Sequence, residues 1–228
     1  MKPPIYEPKG AAREYGELAL NIYTGCPHRC FYCYVPNVLH CDREKFHTDV
    51  RPRPNIVEET RKQLEREHIT DKLIHLCFTC DPYPTGYDSS VTREIIKLLK
   101  EYGNHVQILT KGNGSRDFDL LDLNDFYGIT LDGSESNEEA LSRVRPLKKA
   151  HDLGINTWIS FEPVIDPDRV LWDIAWRAQK ADKIMIGKLN YHKSNVDWKA
   201  FGHRAESMCK SCGKLFYIKD SLRKEMKK

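Results

Sequence analysis

The chain has 228 residues and a formal net charge of +3, and its 36 basic and 33 acidic side chains are mixed along its length. This balance is compatible with a nucleic-acid substrate but lacks the basic clustering of a dedicated nucleic-acid binder. No stretch approaches the roughly 20 apolar residues of a transmembrane helix, and the N-terminus lacks the apolar core of a signal peptide. Eight cysteines in such a chain favour metal binding or thiol chemistry in a reducing cytoplasm over a disulfide scaffold.

The first feature in chain order is an apolar run over residues 18–23, followed at once by a cysteine-rich loop over residues 25–34. In this loop Cys26, Cys30 and Cys33 have the spacing C-x3-C-x2-C. Thiolates so close in sequence can converge on one soft metal centre, and an iron–sulfur cluster is the usual occupant of such loops. A cluster of four irons with three protein ligands leaves one iron open to bind another molecule.

Two other interpretations of this loop are open. A zinc knuckle normally uses C-x2-C pairs and a second, similar pair. The pair Cys209 and Cys212 has that spacing, but it is better explained as the end of the last helix, with Gly213 after it. A four-ligand electron-transfer cluster would need Cys41 as its fourth ligand.

Beyond the loop, predicted helices and strands alternate. Asn55 and Glu58 predict a capping box at the start of a helix that runs to about residue 68. A later helix is predicted through Leu147 to Asp152 and ends at Gly154, and Pro146 is expected only in its first turn. The other predicted helices begin near residues 90, 168 and 198, and the predicted strands cover residues 72–79, 105–110, 126–131, 156–161, 183–187 and 215–219.

Such alternation, with strands that are near-continuous apolar runs, predicts a parallel sheet covered by helices. Six or seven units in a single domain over residues 1–228, with the last helix and strand in residues 195–220, favour an α/β partial (β/α)6 TIM-type barrel. No G-x-G-x-x-G follows any strand, so a dinucleotide site has no support. Polar side chains fall at the carboxyl ends of the strands, where barrel enzymes place their chemistry: Thr79, Asp81, Lys111, Thr130, Asp132, Glu162, Lys188 and Asn190.

The cysteine spacing, with Tyr32 directly before Cys33, resembles the signature of the radical S-adenosylmethionine (radical SAM) enzymes. Further short motifs over residues 18–190 are similar to the spore photoproduct lyase branch of that family: Thr79-Cys80-Asp81, Leu109-Thr110-Lys111, Ile129-Thr130-Leu131 and Phe161-Glu162-Pro163. The resemblance implies the radical SAM type of partial barrel and a [4Fe–4S] cluster on Cys26, Cys30 and Cys33. It also implies reductive cleavage of S-adenosylmethionine to a 5′-deoxyadenosyl radical.

The resemblance also assigns roles to individual residues. Lys111 would meet the carboxylate of S-adenosylmethionine through a charged hydrogen bond, and Tyr32 would pack near its adenine. Thr79 and Thr130 would hydrogen-bond its polar groups, and the motifs place Asp81 and Glu162 at the same site. Cys80 is the expected hydrogen donor to a substrate radical, with Cys77 as the alternative, and Tyr34 would relay the radical.

The resulting expectation is a cytoplasmic radical SAM enzyme that abstracts a hydrogen atom from its substrate. Nucleic-acid repair or modification is the first substrate expectation, and a peptide or a small molecule is the alternative. A flavodoxin or ferredoxin would be the reductant. An iron–sulfur electron carrier or redox sensor, with Cys41 as fourth ligand, is the alternative function.

Overall fold

The computed structural model describes residues 3–228. Its contacts divide the chain into two compact units, a first unit that ends at Phe126 and a second unit, Tyr127–Lys228. The expectation of a single domain over residues 1–228 stays a prediction.

The first unit is built on parallel strands. Strand β2 pairs in parallel with β5, and β5 with β6, whereas β1 runs antiparallel to β2 and was not predicted from the sequence. A separate antiparallel pair joins β3 to β4. The strands are β1 (Ile5–Tyr6), β2 (Leu18–Leu20), β3 (Tyr23–Thr24), β4 (Arg51–Pro52), β5 (Leu73–Leu76) and β6 (His105–Thr110).

Four α-helices cover this unit: α1 (Val35–Leu39), α2 (Arg43–Thr48), α3 (Ile56–Glu67) and α4 (Ser90–Glu101). Helix α4 buries Ile95, Ile96 and Leu99 completely, as its apolar periodicity predicts. The predicted capping box of α3 is wrong. Asn55 has a left-handed backbone and its side chain caps no N–H, so the helix begins without that bond.

The second unit again alternates strands with helices. Its strands follow the order β7-β8-β9-β10, and β8, β9 and β10 are parallel. These are β7 (Phe126–Thr130), β8 (Asn156–Val164), β9 (Lys183–Lys188) and β10 (Leu215–Ile218). The helices are α5 (Asn137–Asp152), α6 (Pro167–Trp176), α7 (Trp198–Ser211) and α8 (Asp220–Met226). The α/β class is therefore confirmed within each unit.

Two helices of this unit differ from expectation. Helix α5 begins ten residues before Leu147, because Ser136 and Glu139 form a capping box at its start. Pro146 consequently lies inside the helix, not in its first turn, and that prediction is wrong. The predicted last helix and strand are followed by α8, which buries Leu222 and Met226. None of the described helices combines the length and apolar character that crossing a membrane requires.

Candidate metal and cofactor site

The cysteine loop is fixed to helix α2 by backbone contacts. The N–H of Cys26 donates to the carbonyl of Phe46 at 3.1 Å. Gly25 has φ +77°, and a Cβ there would lie 2.6 Å from the Asp49 carbonyl and 2.7 Å from that of Phe46. The buried ring of His47 also contacts the Cys26 carbonyl through Nδ1 at 2.7 Å. The first cysteine is thus held at a position that only glycine allows the chain to reach.

Arg43 holds the other half of the loop. Its guanidinium donates to the carbonyls of Cys30, Phe31 and Cys33 at 2.6, 2.9 and 3.0 Å. The Cys33 N–H in turn donates to the Cys30 carbonyl at 3.0 Å. Because one planar cation binds three backbone carbonyls, the backbone from Cys30 to Cys33 is held in place, and these bonds involve no sulfur atom. All three sulfurs therefore stay available as ligands.

The three thiols of the loop, on Cys26, Cys30 and Cys33, suit a multi-iron cluster better than a single ion. Among residues 3–228, the only group of three or more potential ligands whose atoms all lie within 4.8 Å is His105, Asp122 and Asp125. The loop sulfurs are therefore spread more widely than the about 3.8 Å that separates sulfurs on one tetrahedral zinc. A cluster gives each sulfur its own iron and needs the wider spread.

The protein surroundings of two of these thiols disfavour the ionised form. Burial raises the pKa of Cys26, and the nearby Asp81 carboxylate raises it further. Burial likewise raises the pKa of Cys33. Thiols in this setting ionise only beside a strong positive charge, which iron supplies. The donor set therefore fits the implied cluster.

The buried carboxylate of Asp81 connects this loop to the ends of the strands. One of its oxygens lies 2.9 Å from Nε2 of His28, a residue of the cysteine loop. It also accepts the Lys111 N–H at 2.8 Å and the hydroxyl of Thr110 from the end of β6. The Tyr83 N–H completes the set at 2.8 Å. One side chain that the sequence places after β5 thus fixes the loop and the end of β6 together.

These contacts decide the ionisation of Asp81. Burial works to raise its pKa, but the positive charge of His28 and the surrounding hydrogen bonds outweigh it and lower the pKa below the usual value. The His28 side chain is only 12% exposed because it points at Asp81.

Two residues predicted at the cofactor lie in direct contact. The Lys111 ammonium donates to the Tyr32 hydroxyl at 2.5 Å and lies 5.2 Å from the centre of its ring. Lys111 follows β6 and Tyr32 belongs to the cysteine loop. An ammonium group therefore lies beside an aromatic ring of the cysteine loop, and the roles of both residues at S-adenosylmethionine stay predictions.

Thr79, a third predicted cofactor residue, belongs to a polar cluster at the end of β2 and β5. The Asn21 side-chain carbonyl accepts the N–H of Phe78 at 2.8 Å and of Thr79 at 2.9 Å. Asn21 also donates to the hydroxyl of Tyr6 at 2.7 Å. Arg53 donates to the Thr79 hydroxyl at 3.3 Å. Asn21 and Arg53 shape this end of the sheet and were missed.

The two predicted catalytic residues occupy different environments. Cys80 is half-buried and accepts the Tyr23 N–H on its sulfur at 3.4 Å. Tyr34, the last residue of the cysteine loop, is 46% exposed, and its hydroxyl donates to the Phe78 carbonyl at 3.3 Å. The roles of both residues in the reaction stay predictions.

Thr130 and Glu162 lie in the second unit. Thr130 is buried at the end of β7, and its carbonyl accepts from Arg143 at 2.9 Å. The Glu162 carboxylate pairs with the buried Lys219 ammonium at 2.7 Å and packs against Gly187. Glu162 therefore forms an ion pair inside its own unit, and its role at the cofactor stays a prediction.

Sequence reasoning missed Arg43, Asn21 and Arg53, none of which lies in a motif. Arg43 binds backbone carbonyls, Asn21 accepts backbone N–H groups, and Arg53 donates to the Thr79 hydroxyl. Arg43 is separated by ten residues from the nearest carbonyl that it binds. Thr110 had a signal, because it stands inside the motif that ends in Lys111.

No protein-family model matches the chain. An uncharacterized protein of Acidianus two-tailed virus, ORF301, is 26% identical over 219 residues, which is 82% of this chain and 70% of that protein.

Solved structures of spore photoproduct lyase match the fold. The enzyme complexed with a dinucleoside spore photoproduct has a TM-score of 0.63 at 14% identity, over 92% of this chain and 78% of that chain. A tyrosine-to-phenylalanine variant has a TM-score of 0.65 at 12% identity, over 92% and 78%. A double variant with bound AdoMet and dinucleoside spore photoproduct has a TM-score of 0.56 at 12% identity, over 87% and 62%. The resemblance to spore photoproduct lyase is therefore confirmed at the level of the fold, and with it the predicted α/β fold class.

Proposed function

We propose that this chain is a radical SAM enzyme. In this proposal Cys26, Cys30 and Cys33 hold a [4Fe–4S] cluster, and S-adenosylmethionine binds beside it. The observation that carries the proposal is the set of hydrogen bonds around Asp81, which ties the cysteine loop to the end of β6. A mere electron carrier has no need of this link, because it needs no second binding site at the strand ends.

When bound, the cluster supplies one electron that cleaves S-adenosylmethionine to methionine and a 5′-deoxyadenosyl radical. The chain's own residues prepare that site. Lys111 offers the charge for the methionyl carboxylate, and Tyr32 offers a ring for the adenine. Arg43 and Gly25 hold the ligands in place. Asp81 orients the backbone of Lys111, so it positions the ammonium without touching the cofactor.

The test is anaerobic reconstitution followed by a search for the cleavage product. About four irons per chain are expected, with release of 5′-deoxyadenosine after addition of dithionite and S-adenosylmethionine. Replacing Cys26, Cys30 and Cys33 together by Ala should abolish the iron. Cys212→Ala, which removes an exposed thiol of the second unit, is the matched control and should leave both readouts unchanged. A full iron complement without any 5′-deoxyadenosine would contradict the proposal.

The alternative function is an iron–sulfur electron carrier. One observation favours it. Burial is the main cause of the raised pKa of Cys33, but Cys30 and Cys41 also contribute, so Cys41 lies close to the cluster loop. Cys41 is exposed and could complete a four-ligand set. If Cys41→Ala loses the cluster, the carrier is favoured. If it keeps both the iron and the formation of 5′-deoxyadenosine, the enzyme is favoured.

We further propose a nucleic-acid substrate, with Cys80 as the hydrogen donor and Tyr34 as the relay. The proposal is supported by the fold shared with spore photoproduct lyase, three of whose matched structures hold a dinucleoside spore photoproduct. A cytoplasmic flavodoxin or ferredoxin would supply the electron. Incubation with a dinucleoside spore photoproduct and detection of repaired dinucleoside tests the substrate. Lack of repair together with 5′-deoxyadenosine formation would remove the substrate and keep the enzyme class.

A further inference from the structure

Two thiols lie side by side next to the cysteine loop. Cys77 and Cys80 have the spacing C-x2-C, and the Cys77 thiol makes a side-chain hydrogen bond with Cys80. Both are free cysteines, and neither belongs to the three that serve as cluster ligands in the proposed function. The two side chains are therefore close enough to interact.

The backbone is held in an unusual conformation at this pair. Cys77 has φ +71°, in the left-handed region that a residue with a Cβ rarely adopts. Its N–H donates to the Leu20 carbonyl at 2.9 Å, and the next N–H, of Phe78, donates to Asn21 at 2.8 Å. The surrounding structure thus maintains a strained bend that keeps the two thiols together, and such strain is typical of functional sites.

The two thiols differ in their access to solvent. Cys77 is buried at 6% exposure, whereas Cys80 is only half-buried. The Tyr23 N–H donates to the Cys80 sulfur at 3.4 Å and fixes its position. An accessible sulfur with a buried partner is the arrangement of an attacking and a resolving thiol.

We propose that Cys77 and Cys80 are a redox-active dithiol that closes reversibly to an intramolecular disulfide by exchange with small-molecule disulfides. The Cys80 thiolate attacks one sulfur of glutathione disulfide, which forms a mixed disulfide and releases one glutathione thiolate. The Cys77 sulfur then attacks the Cys80 sulfur, and its proton leaves on the second glutathione, which is released as the thiol. Two electrons pass from the pair to the oxidant, and each thiol loses one proton.

The sequence allows a direct test by peptide mapping. Trypsin cuts after Lys72 and Arg93 and nowhere between them, so residues 73–93 form one peptide that contains these two cysteines and no others. The reconstituted protein is equilibrated anaerobically in glutathione buffers, quenched in acid, unfolded, alkylated and digested. A closed pair yields a peptide that lacks both alkyl groups and is lighter by two hydrogen atoms.

A second pair in the same chain serves as the control. Cys209 and Cys212 have the same spacing, with one buried and one exposed thiol, and burial is the main cause of the raised pKa of Cys209. We expect the Cys77–Cys80 peptide to be half closed at a glutathione disulfide concentration about tenfold below that which modifies half of Cys212, because closure within one strained bend has a high effective concentration.

Two variants identify the roles of the thiols. In Cys77→Ser, Cys80 should stop at the mixed disulfide with glutathione, since no resolving thiol is left. In Cys80→Ser, the buried Cys77 should stay a free thiol. Full alkylation of both cysteines of the unmodified chain in fully oxidised buffer would overturn the proposal, whatever the variants do. The readout uses neither S-adenosylmethionine nor iron, so its failure and that of the proposed function are distinguishable.

Discussion

The Nε2 atom of His28 lies 2.9 Å from a carboxylate oxygen of Asp81. His28 belongs to the loop of the three cysteines, and Asp81 follows strand β5. Asp81 also accepts the backbone N–H of Lys111. Through this one carboxylate, the proposed cluster ligands and the proposed cofactor-binding lysine share a single support.

Asp81→Asn tests that support. The amide keeps the size of the side chain but cannot accept all the hydrogen bonds of a buried carboxylate, so N–H and hydroxyl donors lose their partner. We expect the free energy of unfolding to fall by roughly 2–4 kcal/mol and the midpoint of thermal unfolding to drop accordingly. Asp88→Asn, at an exposed carboxylate that contacts only Ser90 in its own turn, is the control. Equal loss in both variants would contradict a special role for Asp81.

Lys111→Ala should weaken the binding of S-adenosylmethionine and leave the iron content unchanged, because Lys111 contacts Tyr32 and is not a ligand. A charged hydrogen bond of roughly 2 kcal/mol corresponds to about 30-fold in the dissociation constant. Equilibrium dialysis of the reconstituted protein measures the affinity. Lys97→Ala, on the exposed face of α4, is the control. An unchanged affinity in Lys111→Ala would remove this lysine from the site.

Arg43→Ala should make the cluster more labile, because three loop carbonyls lose their common donor. The guanidinium is exposed, so the expected effect is modest, about tenfold in the rate of iron release to a chelator. Arg51→Ala, which removes an exposed arginine near Asp49, should leave that rate unchanged. Equal rates for Arg43→Ala and the unmodified chain would show that the loop holds its own shape.

Gly25→Ala separates steric contact from backbone strain. Both Gly25 and Gly86 have positive φ, +77° and +82°, but a Cβ at Gly25 meets two carbonyls and a Cβ at Gly86 meets nothing within 4 Å. Gly86→Ala should cost about 1 kcal/mol of unfolding free energy from strain alone. Gly25→Ala should cost roughly 2 kcal/mol more, since the loop must move away from α2, and it should lower the iron content on reconstitution. Full iron content in Gly25→Ala would contradict the expected displacement.

His75 predicts a pH dependence of stability. Burial lowers its pKa from 6.5 to about 3. As the pH falls, His75 is therefore protonated in the unfolded state before it is protonated in the folded state. The contribution of the neutral His75 to the free energy of unfolding is fully present above pH 6.5 and is lost as the pH falls towards about 3. The slope from this group is at most about 1.4 kcal/mol per pH unit. Urea unfolding of the metal-free chain between pH 7 and about 5 measures the slope, and His75→Gln should reduce it. If the free energy of unfolding has the same pH slope in His75→Gln and in the unmodified chain, other groups cause the loss of stability at low pH.

The sequence determined the elements whose signals are local. Strand β6 has the predicted bounds, because a mostly buried run of six residues ends at a bend with Gly112. The predicted starts of α3 and α5 were less accurate, because each depends on which side chain caps the first N–H groups of the helix. Asn55 satisfies no N–H with its side chain, whereas Ser136 and Glu139 cap α5 ten residues earlier than expected.

The sequence by itself also identified the three proposed cluster ligands, because Cys26, Cys30 and Cys33 lie within eight residues. The contacts of Asp81 with His28 and Lys111 span 53 and 30 residues, and the bond between Arg53 and Thr79 spans 26. Only the tertiary structure decided these, because hydrogen bonds between distant residues depend on the strands being placed in register, and no local spacing encodes that register.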